Sequence, residues 1–131
     1  MLSVPDTGGR HYWFPIGDIY HNMNASISWD TVGFKGGAYA LVPPGWKGVL
    51  PDGVERVEVR TPMVWSLDRY AVSGPDDVPG ANALQDKTQL RPLSVFMGKK
   101  ALPQPDAACY PAFTRDDLTD AHKFFTTFNA R

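Results

Sequence analysis

The residues best suited to metal chemistry are His11, His21 and, three positions before the latter, Asp18. An Asp-x-x-His pair and a third imidazole would supply three ligands if two strands brought them together. Strand alternation places Asp18 and His21 on opposite faces, however. The histidines therefore read as surface or hydrogen-bonding groups, and no cofactor is implied. His122 reads as a solvated helix residue. For nucleophilic chemistry there is no Gly-x-Ser-x-Gly elbow. Cys109, between Ala108 and Tyr110, has no basic neighbour closer than Arg115 and reads as an incidental thiol. The carboxylate pairs Asp76-Asp77 and Asp116-Asp117 suit helix starts better than acid/base catalysis. Pro44-Gly45-Trp46-Lys47-Gly48 lacks the Gly-Lys-Ser/Thr ending of a phosphate loop and reads as a turn whose Trp46 folds back onto a sheet.

Arginines among aromatic residues form the remaining candidate. Arg10, Arg60 and Arg69 accompany Tyr12, Trp46 and Trp65. A guanidinium can grip carboxylate or phosphate with its fork or stack on a ring, and an indole can offer a platform to a sugar ring. These six residues are the expected ligand-binding set. Full alternation puts Arg69 on the face of Trp65 and Leu67. If that face is buried, Arg69 needs a partner, for which Asp6, Asp18 or Asp30 would serve. Trp13, Trp29 and Trp65 read first as core.

The elements that must position these residues are short. The chain has 131 residues, 43% hydrophobic and 12% aromatic, enough to build one core. Its formal charge of −1 argues against a nucleic-acid partner, which calls for a basic stripe. No apolar run approaches the roughly 18 residues of a membrane span, and the first residues carry no secretory leader pattern. Twelve glycines and twelve prolines are spread through turn signals such as Asp6-Thr7-Gly8-Gly9, Lys35-Gly36-Gly37, Pro51-Asp52-Gly53 and Ser73-Gly74-Pro75-Asp76. Twelve of the fourteen acidic residues are aspartate, which favours turns over helix interiors.

Frequent turns predict antiparallel β-structure, a sandwich or barrel. Residues 2–5 and 10–14 should form a hairpin around the Asp6–Gly9 loop. Residues 38–42 form another strand, and 54–60 alternate cleanly, with Val57 and Val59 on one face. Residues 63–72 form the longest strand. A short helix is expected from Asp76 to Thr88, and a second near the end, where Thr114 and Asp117 suggest a capping box before Ala121, Phe124, Phe125 and Phe128. Residues 92–111 read as an ordered loop.

Several segments carry a resemblance. They are Ser3-Val4-Pro5-Asp6-Thr7-Gly8-Gly9-Arg10 with Tyr12 and Phe14, then Asn22, Ala25-Ser26, Leu41-Val42 and Pro44-Gly45-Trp46-Lys47-Gly48. Arg60-Thr61-Pro62, Val64-Trp65, Leu67, Arg69, Gly74-Pro75-Asp76-Asp77-Val78-Pro79 and Ala83-Leu84-Gln85-Asp86 follow in order. Together they resemble the domain of unknown function numbered 1254, a bacterial family usually followed by a domain numbered 1214.

The resemblance implies a mainly β, antiparallel, jelly-roll-like sandwich and no particular reaction. It also implies that relatives are often exported and carry further strands before Val4 and a further domain after the terminal helix. The chain then reads as truncated at both ends, with residues 1–113 forming most of a sandwich and 114–131 a linking helix. The expected role is a non-catalytic module that binds a polar ligand, a partner domain or a second copy of itself. The alternative is part of a hydrolase or carbohydrate-active enzyme whose site is completed by residues outside this chain.

Overall fold

A computed structural model of the chain describes residues 1–101, 103, 120, 122, 123, 125 and 126. Residues Met1–Ala101 form one compact unit and Leu102–Arg131 another. The first unit is mainly β. Its elements run β1 (Leu2–Val4), β2 (Tyr12–Asp18), β3 (Met23–Ser28), α1 (Trp29–Val32), β4 (Gly37–Val42), β5 (Val54–Glu58), β6 (Val64–Ser66), β7 (Arg69–Tyr70), a 3-10 turn (Pro75–Asp77), α2 (Val78–Lys87), β8 (Gln89–Leu90) and α3 (Leu93–Phe96). One sheet has the order β5-β4-β1-β8; the other has β3-β2-β6, with β7 also pairing with β2. Among the described residues no helix is long and apolar enough to cross a membrane.

The expected hairpin of residues 2–14 is replaced by a corner. β1 pairs with β4 and β8, whereas β2 belongs to the other sheet. Gly8 and Gly9 sit at φ of 61° and 93°, and Asp6 accepts a bond from the Gly8 N–H at 2.8 Å. Two successive left-handed residues turn the chain out of the first sheet, while the buried Thr7 donates its N–H to Phe34 O at 2.9 Å.

The antiparallel expectation needs one correction. β4 and β5 run parallel, Ala38 opposite Val54 through Val42 opposite Glu58. The connection of residues 43–53 is long enough to carry the chain back to the starting edge, which parallel pairing requires.

The expected strand of residues 63–72 keeps one register against β2, with Trp65 opposite Gly17 and Arg69 opposite Trp13, yet its ladder breaks at Leu67–Asp68. The Ala71 N–H donates to His11 O at 2.9 Å, so odd-numbered residues of β2 turn their backbone groups toward β6 and β7. Pro15 falls opposite Leu67 and has no N–H to give.

The core lies between the sheets. Tyr12, Phe14, Ile16 and Ile27 from the second sheet meet Leu2, Val4, Tyr39, Val57 and Val59 from the first. Val57 and Val59 are buried, as their alternation predicts. The first sheet is covered behind as well. Ala40, Val42 and Met1 pack against Trp46 and Leu50 of the connection and against Leu93 and Phe96 of α3, a helix inside the segment expected to be a loop. Burial on both faces explains why Gly37–Val42 shows little polarity. The helix expected from Asp76 is present as the 3-10 turn and α2, closed by the Thr88 hydroxyl on Leu84 O at 2.9 Å.

In the second unit, residues 122, 123, 125 and 126 are helical. Asp120 accepts bonds from the N–H groups of His122 and Lys123 at 3.0 and 3.2 Å, an N-cap in itself. Thr114, Asp116, Asp117 and Cys109 lie outside the described residues.

One ion pair clamps the first unit's corner to the start of its helix. Arg10 Nη1 and Nη2 donate to Asp77 Oδ2 and Oδ1 at 2.6 and 2.5 Å, and Nη1 also donates to Ala71 O at 2.6 Å. The Ser73 N–H completes the carboxylate's shell at 2.9 Å. The guanidinium first, then the Ser73 N–H, hold the Asp77 carboxyl far below the usual carboxylate range.

Two predictions follow from these local constraints. An added Cβ on Gly36, at φ 69°, would fall 2.2 Å from Val4 O, whereas one on Gly45, at φ 73°, meets nothing within 4 Å. Gly45→Ala should therefore cost about 1–2 kcal/mol in urea denaturation and Gly36→Ala about 3 kcal/mol or more. Equal costs would refute the steric reading.

The second concerns acid. A depressed carboxyl pKa contributes stability that is present above about pH 4, its unfolded value, and is lost as pH falls toward the folded value. Asp77→Asn should lower the melting temperature at pH 7 and make its decline below about pH 4 shallower than in the parent. Parallel acid limbs would show the clamp to be inert.

Candidate ligand-binding face

Alternation along β2 divides its side chains sharply. Tyr12, Phe14 and Ile16 point into the core at 0, 0 and 1% exposure, while Trp13, on the outer face, is 38% exposed. His11, Trp13, Pro15 and Gly17 form the outer row. Arg69 stands directly across from Trp13, so the two side chains share that face. At the far end the Trp65 indole lies over Gly17, where an added Cβ would fall 2.3 Å from the ring, and its Nε1 donates to Asp18 O at 2.9 Å.

The near end of the row is a cluster of rings. His11 stacks on Trp29 with centroids 4.2 Å apart and planes at 15°, and Phe34 lies nearly parallel to both. Trp13 meets His11 and Trp29 in T-shaped contacts at 6.1 and 6.5 Å. The buried Trp29 Nε1 has no acceptor among the described residues. Between these ends, Trp13, Pro15, Ser26, Arg69 and Tyr70 line a shallow concavity of about 530 Å³. Thr31 closes the outer edge of β3: its hydroxyl accepts from the Ser28 N–H at 3.0 Å and donates to Ser26 O at 2.9 Å.

The six residues singled out in the sequence are dispersed. Tyr12 is core; its hydroxyl donates to Gly33 O at 2.8 Å, and burial, then the neighbouring Tyr39 and Tyr70, push its pKa up to about 12. Arg10 is taken up by Asp77 and borders an open depression of about 420 Å³ with Thr7, Gly8, Gly9, His11 and Ser73. Trp46 folds onto the back of the first sheet under the Arg56 guanidinium, 5.3 Å from its ring. Arg60 is exposed, its backbone N–H on Asn24 Oδ1 at 2.9 Å. Trp65 and Arg69 share the outer face of the second sheet. That face is the one expected for Arg69, but it is exposed, so the buried pairing with Asp6, Asp18 or Asp30 does not arise. The partly buried arginine–aspartate pair joins Arg10 to Asp77 instead.

The three candidate metal ligands have separate tasks. Asp18 is buried, and its Oδ1 accepts from the N–H groups of Tyr20 and Asn22, both at 2.9 Å, while Asn22 Nδ2 reaches Oδ2 at 3.1 Å. Burial raises its pKa, but the Asn22 and Tyr20 bonds and the charge of Arg60 outweigh this and leave it below the usual value. The turn it stabilises holds His21 at φ 63°. His21 lies by Trp65 and His11 on Trp29, separated by the length of β2, about 20 Å at ~3.3 Å per residue. Among the described residues no group of three His, Cys, Asp or Glu side chains is placed to hold a metal ion.

The sequence reading missed Trp13, Ser26 and the His11–Trp29–Phe34 stack as parts of a face. The signal was the row of odd-numbered residues in β2. It was masked because the even-numbered residues are equally apolar, so Trp13, Trp29 and Trp65 read first as core.

Comparison with known proteins agrees with this architecture. The model of a family described as "Protein of unknown function (DUF1254)" matches residues 1–92. Among solved structures, the VPA0106 protein from Vibrio parahaemolyticus is similar, with a TM-score of 0.75, 33% sequence identity and 85% of this chain covered. The chain spans 28% of that protein's length. No curated protein matches it. With well over half of its residues matched by the family model, the chain belongs to the DUF1254 family of proteins of unknown function.

Proposed function

We propose that this chain is a binding module rather than a catalyst, and that the outer face of its second sheet takes up a polar ligand with a flat ring. In this reading the two sheets form a jelly-roll-like sandwich. The supporting observation is the juxtaposition of Trp13, Pro15, Ser26 and Arg69 around one concavity. An indole face, a hydroxyl and a guanidinium converge there, the mixture of apolar surface and few polar groups that small-ligand clefts display. The carboxylates of Asp18 and Asp77 are held by turn and clamp hydrogen bonds, which supports binding over acid/base work by these two groups. The enzymatic alternative needs groups from elsewhere to complete a site.

A second reading, a protein partner or a second copy of the chain, is favoured by the turn after β2. Ile19, Tyr20 and Met23 are exposed there, and the Ile19 N–H points to Thr61 Oγ1 at 3.4 Å, near the exposed Met63. Tyr20 and Met63 are 73 and 64% exposed, a concentration of apolar surface that favours association.

Two measurements test these readings. In ligand-observed NMR against a panel of soluble sugars, carboxylates and nucleotides, Trp13→Ala should weaken any binder by at least about tenfold at a temperature where circular dichroism shows the variant still folded. Binders indifferent to Trp13, or an empty panel, would overturn the first reading. In light scattering, the parent should show mass above the monomer's that falls when Tyr20 and Met63 are both replaced by Ser. A parent that is monomeric at all concentrations would remove self-association.

A further inference from the structure

We infer that the concavity beside Trp13 binds a saccharide bearing a carboxylate, a uronate, an inference that rests on the binding reading above and names its ligand class. Three features of the face carry it.

The first is the unpaired cation. Arg10 is held by Asp77 and Arg56 by Glu58, but Arg69 makes neither an ion pair nor a side-chain hydrogen bond among the described residues. Its neighbour Asp68 accepts from the Ser66 hydroxyl and lines the cleft between the sheets with Leu2 and Ile16, on the other side of the strand. Arg69 therefore borders the concavity with its donors free among the described residues, and a planar carboxylate matches a guanidinium fork in two parallel bonds.

The second is the pairing of that cation with an aromatic ring and a hydroxyl. Arg69 lies directly across the ladder from Trp13, and Ser26 directly across from Pro15 on the opposite side. A pyranose ring has one weakly polar face of C–H bonds and an edge of hydroxyls. The indole accepts the first, and Ser26 and the guanidinium accept the second. A carboxylate on the ring's rim would then fall on the Arg69 side. Pro15 supplies a flat floor, and the volume of about 530 Å³ lies within the range of small-ligand clefts.

The third is continuity. Outward residues of a strand recur about every 6–7 Å, and those of this face present, in order, His11 on Trp29, Trp13, Pro15, and Trp65 over Gly17. A linear chain of sugar rings can run along such a row and stack at more than one point. A polynucleotide fits less well. It would need several cations along its phosphates, whereas one unpaired arginine borders the concavity and the chain carries a net charge of −1.

Tryptophan-fluorescence titrations of the full chain test this with three ligands: an oligogalacturonate, its methyl ester with the same rings uncharged, and a single-stranded oligonucleotide. The oligogalacturonate should bind, the methyl ester about tenfold more weakly, and Arg69→Gln should erase the difference between them. Added salt should weaken the acidic ligand selectively. Arg69 is exposed, so Arg69→Gln should keep the parent's melting temperature, and Arg69→Lys should recover only part of the selectivity. Equal affinity for acid and ester, or indifference to Arg69→Gln, would overturn the uronate inference while leaving a ring-binding face. Preference for the oligonucleotide would overturn it as well. No binding of any of the three would overturn both the inference and the reading beneath it.

Discussion

The face of the second sheet depends on the burial of three side chains in β2. Tyr12, Phe14 and Ile16 hold one side of that strand in the core, and the Tyr12 hydroxyl, on Gly33 O, fixes how deep it sits. With a side-chain period of two, a slip of one residue would bring His11, Trp13 and Pro15 inward and expose Tyr12 and Phe14. Such a slip would desolvate the His11 imidazole without a partner and lose the Tyr12 bond to Gly33 O. The register is therefore set by the inner face, and the outer row follows from it. Pro15 then shapes the outer row in turn. Because it cannot donate to Leu67, the ladder opens where the concavity lies, between Trp65 on one side and Arg69 on the other.

The two sheets differ in what covers them. The first is buried on both faces, by the core within and by Trp46, Leu50, Leu93 and Phe96 behind. Parallel addition of β5 and the long connection before it are parts of that covering. The second sheet meets the core on one face and carries its own aromatic row on the other. The Arg10–Asp77 clamp matters to both. By binding Ala71 O as well as Asp77, Arg10 holds the segment after β7 against the corner that joins the sheets. Arg10 is thereby committed to structure, while Arg69 makes no ion pair among the described residues and is left for the surface.

Much of this fold was legible, and the failures have physical causes. The alternation of residues 54–60 and the proline-led start of the helix after Gly74 are local signals, and local signals survived. The corner at Asp6–Gly9 was mistaken for a hairpin because the same Asp and Gly residues serve both. What separates them is the bond from Thr7 to Phe34, a distant residue. Parallel pairing of β4 with β5 is likewise set by a partner far along the chain. β3, with the sequence Met-Asn-Ala-Ser-Ile-Ser, has one β-branched residue and was invisible to propensity. For the candidate face, alternation in the sequence put Trp65 and Arg69 on one side of their strand, where the structure also has them. It did not separate inner from outer on β2, where aromatics occupy both faces. Only the partners across the ladder decide that.

Within the candidate face, affinity and selectivity have different physical sources. Trp13 is braced at near right angles by His11 and Trp29, and those two are stacked on each other beside Phe34. Its ring is already ordered before any ligand arrives, so stacking on it forfeits little side-chain freedom. Arg69 is the reverse case. A long, unpaired side chain on an edge strand loses about 0.5–1.5 kcal/mol of freedom when it is fixed on a ligand. A neutral hydrogen bond, worth about 0.5–1.5 kcal/mol net, does no more than offset that loss, whereas a charge-assisted bidentate pair exceeds it. In the proposed binding mode the braced indole therefore serves any ring of the right shape. The unpaired guanidinium adds to it only when the ligand brings a planar anion.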